Sequence, residues 1–277
     1  MKLTVLIDNN TLIDRYFLAE PGLSFLIQTE DMNIVFDVGY SGAFLINAAN
    51  MNIDINILDA VVISHGHMDH TWGLFYLIKH YVETNLEGIS FTKPDLIAHP
   101  WAFKPKIEGV EIGSLINEST LSRHFDLKLS IDPFWLTEKL VFLGEIERSN
   151  DFENNKPIGK VLNKEVMLDD YLKDDSAMVY KSKEGLIIVT GCSHAGICNI
   201  IEYAKKICND DRIIDVIGGF HLLEPEKEIL NKTCNYIKAN NVKMLHPCHC
   251  TDLGSKIALS KHCIVEEVGV GTVLEYD

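Results

Sequence analysis

Four separate strand-like runs of this chain lead directly into histidines, and this feature restricts the fold more than any other. The runs VVIS, LIIVTG, DVIGGF and KML precede His65, His194, His221 and the HPCHC stretch that contains His249. A single histidine after a strand is usually structural or solvated. Four of them at strand ends place their imidazoles at one edge of a layered fold, on rigid supports. The pattern therefore predicts a metal site at the ends of strands.

The first run continues as HGHMDH, so that three histidines and an aspartate fall within six positions. His65 and His67 are two residues apart on an extended turn and can face one ion, whereas Asp69 and His70 turn toward a second ion as a helix begins. Imidazole suits zinc, iron and similar metals, and a carboxylate balances their charge. Paired ions about 3.5–4 Å apart can activate water at neutral pH. We therefore expect two divalent ions, with zinc preferred and iron or manganese as alternatives.

Composition limits the class of partner. The 277 residues carry a net charge of −15, so neither nucleic acid nor an anionic membrane is expected, and an anionic substrate must be attracted locally. No run approaches about 18 apolar residues, and the first residues lack the pattern of a signal peptide. The seven cysteines form no disulfide-like framework. We expect a cytoplasmic protein that acts on a small molecule, and a homodimer is compatible with the sequence.

Strand-like and helix-like segments follow one another in a regular way. LTVLID, LSFLIQT, NIVFDVG and DAVVIS predict strands in the first half, and AMVYKS, GLIIVTG, DVIGGF and KMLHP predict strands in the second. SGAFLINAANM, TWGLFYLIKHYVE, ICNIIEYAKKIC and ILNKTCNYIKANN predict helices. The pattern loosens between about residues 100 and 155, which we interpret as an insertion over one edge of a single domain spanning residues 1–277. This order predicts an α/β fold with two mixed sheets packed together and helices outside.

The HxHxDH motif after a strand resembles that of the metallo-β-lactamase superfamily, whose fold is a four-layer αββα sandwich with metals at its edge. Segments such as FDVGYSGAFLINA, GEIERSNDFE, TGCSHAGICN and GGFHL are similar to one branch of it. That branch contains the 7,8-dihydropterin-6-methyl-4-(β-D-ribofuranosyl)aminobenzene-5′-phosphate synthases and proteins known simply as metal-dependent hydrolases. The resemblance implies five metal ligands: His65, His67, Asp69, His70 and His249.

One part of the chain departs from the pattern of the superfamily. Most members have a Gly-Asp pair whose carboxylate bridges the metals, whereas this chain has TGCSH, so Cys192 or His194 must take its place. We predict His194 as the ligand because its imidazole reaches farther, and Cys192 as a neighbour outside the ligand set. The resemblance gives Asp37 a similar outer role, in which its hydrogen bonds fix the histidine loop. His221 stays open between metal ligand, acid–base catalyst and substrate contact, and we predict a catalytic role.

Two further side chains are candidates for binding substrate. Arg148 has a planar guanidinium that matches phosphate or carboxylate. His99, together with Lys104 and Lys106, could contribute to the same anion pocket.

The leading hypothesis is a dinuclear-metal hydrolase that cleaves an ester or phosphoester of a small anionic molecule. Asp69 would accept a proton as water attacks, and His221 would be the second catalytic residue. The branch implies an alternative, a synthase that transfers a phosphoribosyl group with loss of diphosphate. A third hypothesis is a metal-stabilised protein that senses a ligand without turnover.

Overall fold

Two mixed β-sheets form the centre of the fold in the computed structural model, which describes residues 1–277. The first sheet consists of β1 (Lys2–Ile7), β2 (Ser24–Gln28), β3 (Asn33–Phe36), β4 (Ala60–Val62), β5 (Asp95–Ala98), β8 (Asp126–Leu129) and β18 (Val273–Glu275). Its spatial order is β18-β1-β2-β3-β4-β5-β8. The strands from β18 to β3 are antiparallel to their neighbours, and those from β3 to β8 are parallel.

The second sheet also has seven strands. They are β9 (Phe134–Trp135), β10 (Leu140–Phe142), β13 (Ala177–Lys181), β14 (Leu186–Thr190), β15 (Ile213–Gly219), β16 (Met244–Cys248) and β17 (Ile264–Val265). The spatial order is β17-β16-β15-β14-β13-β10-β9, and β14 to β17 are parallel. A small third sheet contains β6 (Lys106–Glu108), β7 (Val110–Glu111), β11 (Lys160–Asn163) and β12 (Val166–Asp169).

Helices cover the outer faces of the two large sheets. They are α1 (Ala43–Asn50), α2 (Met68–Thr71), α3 (Gly73–Leu86), α4 (Glu118–Leu121), α5 (Ile197–Cys208), α6 (Lys227–Ala239) and α7 (Leu253–Leu259), with a 3₁₀ turn at Ile55–Ile57. None of these helices combines the length and apolarity needed to cross a bilayer.

Three buried clusters show how the layers are held together. One cluster lies between the sheets and includes Phe25 and Phe36 of the first sheet with Ile187 and Val189 of the second. A second cluster joins the first sheet to α1 and α3, and a third joins the second sheet to α5, α6 and α7. Because β-branched and aromatic side chains alternate between these faces, burial of apolar surface fixes both sheets and helices. The predicted αββα sandwich with two mixed sheets is confirmed.

The stretch from residue 100 to 155, predicted as an insertion over one edge, supplies strands to all three sheets. β6 and β7 belong to the small sheet, β8 is an edge strand of the first sheet, and β10 and β9 end the second sheet. These strands are two to four residues long, and β8 is only half-buried on one face, so the sequence carries a weak alternation there.

Candidate metal centre

The loops that follow four strands meet at one edge of the sandwich. β14, β15 and β16 are parallel neighbours, so their carboxyl ends lie together and carry His194, His221 and His249. β4 of the facing sheet leads into the loop with His65 and His67. The strand-end pattern of the sequence thus corresponds to one cluster of side chains in space.

Three imidazoles form the first group of candidate ligands, which we call the three-histidine group (His65, His67 and His194). Each pair of rings has centroids 4.7 Å apart. The Nε2 atoms of His65 and His67 and both ring nitrogens of His194 are buried without a hydrogen-bond partner. Buried polar atoms in native proteins are almost always paired, so these orphaned nitrogens indicate a missing partner that accepts their lone pairs. A metal ion fits this description.

The second group of candidate ligands, the Asp69 group, contains Asp69, His70, Cys192 and His249. His70 Nε2 lies 3.3 Å from both His249 Nε2 and Cys192 Sγ, and Asp69 Oδ2 lies 3.2 Å from His249 Nε2 and 3.7 Å from His70 Nε2. Four donors bound to one ion at about 2.0–2.3 Å stand roughly 3.3–3.8 Å apart. The spacing of the Asp69 group therefore fits a single metal ion.

Cys192 joins two clusters of donor atoms: it is a member of the Asp69 group, and it also forms a cluster with His65 and His194 of the three-histidine group. Its Sγ lies within 4.8 Å of ligand atoms of His65 and His194 and also within 4.8 Å of those of the Asp69 group. The sequence-based prediction placed Cys192 outside the ligands. The structure differs because Gly191 brings the backbone against the histidine loop: a Cβ there would stand 2.1 Å from Ser64 Oγ. The short thiol side chain thus reaches the centre. It lies at the point of the sequence where most members of the superfamily have the bridging carboxylate.

The protonation of the three-histidine group suits metal binding. Burial lowers the pKa values of His65 and His194 well below the usual range, with further lowering by neighbouring imidazoles. Burial, together with the charge of Lys106, lowers the pKa of His67 to about 4. All three rings are therefore neutral at neutral pH, the state in which an imidazole donates its lone pair to a metal.

The surroundings of His70, in contrast, are negatively charged and favour its protonated form. Burial disfavours its cationic form, but the carboxylates of Asp69 and Asp37 outweigh burial and raise the pKa of His70 to about 9. Burial likewise works against the ionised form of Asp69, yet His70 and His249 hold the pKa of Asp69 well below its usual range. This part of the centre therefore attracts positive charge, which a cation would supply.

Asp37 lies where the sequence predicted, against the histidine loop. Its Oδ2 accepts hydrogen bonds from His70 Nδ1 at 2.6 Å and from Ser64 Oγ at 2.7 Å, while Oδ1 accepts from Ser64 N at 2.7 Å. Asp37 is fully buried and has φ of 56°, a left-handed conformation that Asp and Asn tolerate. It therefore orients His70 with Nε2 toward the centre.

Replacing Asp37 with asparagine should lower metal affinity about 10- to 100-fold. The substitution keeps the shape and the backbone conformation but removes the charge that holds His70 Nδ1. Competition with a chromogenic chelator measures the affinity, and circular dichroism checks the fold. Asp59→Asn, which removes a carboxylate that bonds the exposed Asn33 amide, is the matched control; equal affinities in both variants would contradict the role of Asp37.

Sequence reasoning missed four acidic or amide side chains that hold the centre. Asp8 Oδ1 accepts from His249 N at 2.8 Å, and Asn9 Oδ1 bonds His249 Nδ1 at 2.9 Å. Asp174 Oδ2 accepts from the amide of residue 66 at 2.8 Å, and Asp175 lies beside His65, with Oδ1 at 3.9 Å from Nδ1. The available signal was polar residues directly after β1 and directly before β13. Burial raises the pKa of Asp175 to about 7.

His221 lies beside the three-histidine group but is in neither set of donor atoms. Its ring centroid is 4.4 Å from that of His194, and its backbone N donates to Cys250 Sγ at 3.3 Å. It has φ of 50°, is exposed, and lines a cavity of the structure that also contains His67, Asp69 and His194. This position suits a contact to substrate or a proton donor better than a metal ligand.

The two side chains predicted to bind an anion contact other groups of the protein. The Arg148 guanidinium donates to the backbone carbonyls of Ile146, Tyr171 and Leu172, so its hydrogen-bonding capacity serves the fold. His99 is buried, with Nε2 at 3.6 Å from a Glu145 carboxylate oxygen. Neither side chain lines the cavity above the metal centre, and an anion pocket around Arg148 and His99 stays a prediction.

The two lysines included in that prediction also have other partners. Lys104 Nζ donates to Asn163 Oδ1 at 2.7 Å and lies 4.3 Å from the centroid of a Trp101 ring. Lys106 is fully buried between Asp170 and Asp174, with Nζ–O distances of 2.7 and 2.8 Å. Neither ammonium group faces the cavity above the metal centre.

A cavity of about 590 Å³ opens above the candidate ligands, and we call it the main pocket. His67, Asp69 and His194 form its floor, and its walls include Tyr40, Ile112 and Ile158. The volume lies within the range of about 300–1,000 Å³ typical of small-molecule sites. The pocket therefore brings a small molecule into direct contact with the metal-binding residues.

Comparison with known proteins agrees with this geometry. The sequence profile of the Metallo-beta-lactamase superfamily matches residues 18–88. A Methanocaldococcus jannaschii protein named 7,8-dihydropterin-6-methyl-4-(beta-D-ribofuranosyl)-aminobenzene-5'-phosphate synthase is 35% identical over 249 residues, which are 85% of this chain and 82% of the relative. An uncharacterized protein of the same organism is 30% identical over 260 residues, 93% of each chain. The chain belongs to the metallo-beta-lactamase superfamily.

A solved structure supports membership in the same branch of the superfamily. The crystal structure of Tm1679, described as a metal-dependent hydrolase of the beta-lactamase superfamily, has a TM-score of 0.84 and 27% sequence identity to this chain. The match covers 100% of this chain and 99% of that one. The superfamily binds divalent metal ions, and the orphaned imidazole nitrogens of this chain fit such ions.

Proposed function

We propose that this member of the superfamily is a metal-dependent hydrolase that cleaves an ester or phosphoester of a small molecule. The observation that carries the proposal is the pair of donor clusters that share Cys192, directly beside a pocket lined by His67, Asp69 and His194. The three-histidine group and the Asp69 group would each hold one divalent ion. When bound, such ions supply Lewis acidity toward an ester or phosphoryl oxygen and make water a stronger nucleophile at neutral pH.

The side chains of this protein have separate tasks in the reaction. Asp69 is partly exposed to the main pocket, and its carboxylate accepts a proton as water attacks. His221 stands on the other side of His194, where its imidazole donates a proton to the departing oxygen. Tyr40 and the apolar walls position the rest of the substrate and exclude water from it.

The donor set favours zinc among the candidate metals. Imidazole and thiolate are borderline to soft ligands, which suit zinc or iron better than the harder manganese or magnesium. The charge of an anionic substrate would be balanced by these ions, since neither Arg148 nor the lysines at 104 and 106 reach the pocket. All seven cysteines are free thiols, which suits the cytoplasm proposed as the location.

A synthase is the second candidate function, and it is favoured by the name of the 35% identical relative. In that reaction a phosphoribosyl group would be transferred to an aminobenzoate-like carbon with loss of diphosphate. The same metal centre could stabilise the departing diphosphate. The two functions therefore differ in products rather than in the residues that they require.

Two parallel assays with zinc-loaded protein separate the candidates. One uses bis(4-nitrophenyl) phosphate, 4-nitrophenyl butyrate and a lactone, and the other uses phosphoribosyl diphosphate with 4-aminobenzoate or 4-hydroxybenzoate. We expect hydrolysis in the first and no diphosphate release in the second. Release of diphosphate without ester cleavage would establish the synthase instead, and ligand binding without any product would indicate a sensor.

His67→Ala should remove activity in the hydrolysis assay by at least about 100-fold and lower the zinc content. The imidazole of His67 has an orphaned, buried Nε2 and lines the pocket floor, so its loss leaves the three-histidine group incomplete. Elemental analysis and initial rates measure the two effects. His124→Ala makes the same chemical change far along the chain from the centre and should alter neither; unchanged zinc in His67→Ala would overturn the ligand assignment.

A further inference from the structure

A second cavity, of about 220 Å³, lies beside the main pocket, and we call it the side pocket. Residues 152–158 form one wall, and Phe220 and Ile229 belong to the other. Both pockets are lined by His194 and His221, so they meet beside the candidate metal ligands. The side pocket is smaller than the roughly 300–1,000 Å³ typical of a whole ligand site, so it fits one part of a substrate.

The loop that lines the side pocket is held firmly by α5. Asn199 Oδ1 accepts hydrogen bonds from the backbone N of Ser149 at 2.8 Å and of Asn150 at 3.1 Å. The Glu153 carboxylate accepts from two backbone amides of the first turn of α5, both at 3.0 Å. These bonds give a structural role to the SNDFE segment, residues 149–153, which they attach to α5. The side pocket is therefore formed before a ligand arrives.

Two further contacts tie this loop to the metal centre. Asn154 Nδ2 donates to the backbone carbonyl of His194 at 2.8 Å. Gly196 has φ of +99°, and a Cβ there would stand 2.3 Å from Glu153 Oε2. Only glycine permits so close an approach, so the loop and the ligand His194 are packed as one unit.

Apart from the histidines, the two ionisable side chains that line the side pocket, Glu153 and Lys156, already have partners. The Glu153 carboxylate is used at the start of α5, so neither a free anion nor a free helix terminus faces the cavity. Lys156 is 76% exposed and paired with Glu226, with Nζ 3.0 Å from Oε1. The lining also includes the apolar side chains Phe152, Phe220 and Ile229. A phosphate or diphosphate would lose hydration here and find no buried cation of the protein to compensate for it.

We propose that the side pocket binds the leaving group of the substrate and that this group is a neutral, apolar alcohol of aromatic size. This inference rests on the proposed hydrolase function. The main pocket would hold the acyl or phosphoryl part, and His221 stands at the junction of the two cavities.

The reaction balances with water as the only co-reactant. The water oxygen forms the new bond to the carbonyl carbon or phosphorus, and the bond from that atom to the leaving oxygen breaks with its electron pair. His221 gives a proton to the leaving oxygen and regains one from solvent, and the proton lost by water passes to Asp69 and then to solvent. The alcohol product is therefore released neutral.

Direct binding of a product-like probe tests the inference without turnover. We expect 2-naphthol to bind the zinc-loaded protein. Phe152→Ala should weaken this binding about tenfold, because the naphthol ring loses its contact with the Phe152 side chain. The anionic analogue 6-hydroxynaphthalene-2-sulfonate should bind at least about tenfold more weakly than 2-naphthol. Fluorescence titration measures all three affinities. Equal affinity for the neutral and the anionic probe would overturn the proposal.

Two control variants locate the probe and protect the test against a folding defect. Phe152 also packs against the core, so Phe152→Leu keeps apolar volume and should retain binding within about threefold. Tyr40→Ala removes a wall of the main pocket only and should leave 2-naphthol binding unchanged. If Tyr40→Ala weakens binding and Phe152→Ala does not, the aromatic group lies in the main pocket and the proposal fails.

Kinetics separate failure of this inference from failure of the hydrolase function. With 2-naphthyl and methyl esters of the same acid, Phe152→Ala should raise KM for the naphthyl ester about tenfold and leave the methyl ester unaffected. Hydrolysis with no such difference would retain the function and refute the side pocket. Probe binding that depends on Phe152, in the absence of any hydrolysis, would retain the side pocket and refute the function.

Discussion

Cys192→Ala is expected to lose at least one equivalent of zinc per chain and at least about 100-fold in hydrolysis rate. The reason is that Cys192 Sγ is the one donor atom common to both ligand sets, so its removal weakens two sites together. Elemental analysis after dialysis, followed by initial-rate measurements, gives both quantities. The sequence alone predicted a much smaller effect for Cys192 than for His194, whereas the structure predicts comparable losses.

Two variants sharpen this test. Cys234→Ala removes a buried thiol from α6, away from the ligand sets, and should leave the zinc content unchanged. Cys192→Asp supplies the carboxylate that the superfamily pattern has at this point, and should retain more zinc than Cys192→Ala. A full complement of zinc in Cys192→Ala would show that the thiol is only a neighbour of the metals.

The second large effect concerns stability. Lys106→Met should lower the free energy of unfolding by about 3–5 kcal/mol, because it leaves the buried carboxylates of Asp170 and Asp174 without their shared cation. Denaturant unfolding in the presence of a chelator measures this value without a contribution from metal binding. Metal affinity should fall as well, since Asp174 holds the amide of residue 66 between the ligands at 65 and 67.

Lys160→Met is the matched control for this prediction. Lys160 lies in the same small sheet and pairs with Asp169 at 3.6 Å, but both side chains are more than half exposed. Exposed ion pairs contribute about 0–1 kcal/mol, so the substitution should change stability little. Equal destabilisation by Lys160→Met and Lys106→Met would mean that burial of the Lys106 ammonium is not the cause.

Much of the architecture followed from local patterns. The runs LTVLID, NIVFDVG and GLIIVTG became β1, β3 and β14, and ICNIIEYAKKIC became α5, because apolar periodicity is strong in each of them. The convergence of the histidines was also predictable, since parallel strands place their carboxyl ends at one edge. The strands and helices depend on residues close to one another in the chain, and the convergence of the histidines follows once the strands that precede them pair in parallel.

The remaining features depend on contacts between distant segments. Arg148 was expected at an anion, but its guanidinium meets backbone carbonyls about 24 residues away along the chain, which no side-chain pattern reveals. The role of Cys192 depends on how closely Gly191 approaches Ser64. Burial of Lys106 needs two acids from the segment before β13. In each case the sequence identified a reactive side chain but not its partner.

The hydrogen bond from Asn154 to the His194 carbonyl has a thermodynamic consequence. A molecule that packs against residues 152–158 also restrains His194 through this bond, so its binding should raise the affinity for zinc, and zinc should raise the affinity for that molecule by the same factor. Such reciprocity would let the apoprotein release product-like compounds readily and would reserve strong binding for the zinc-loaded protein.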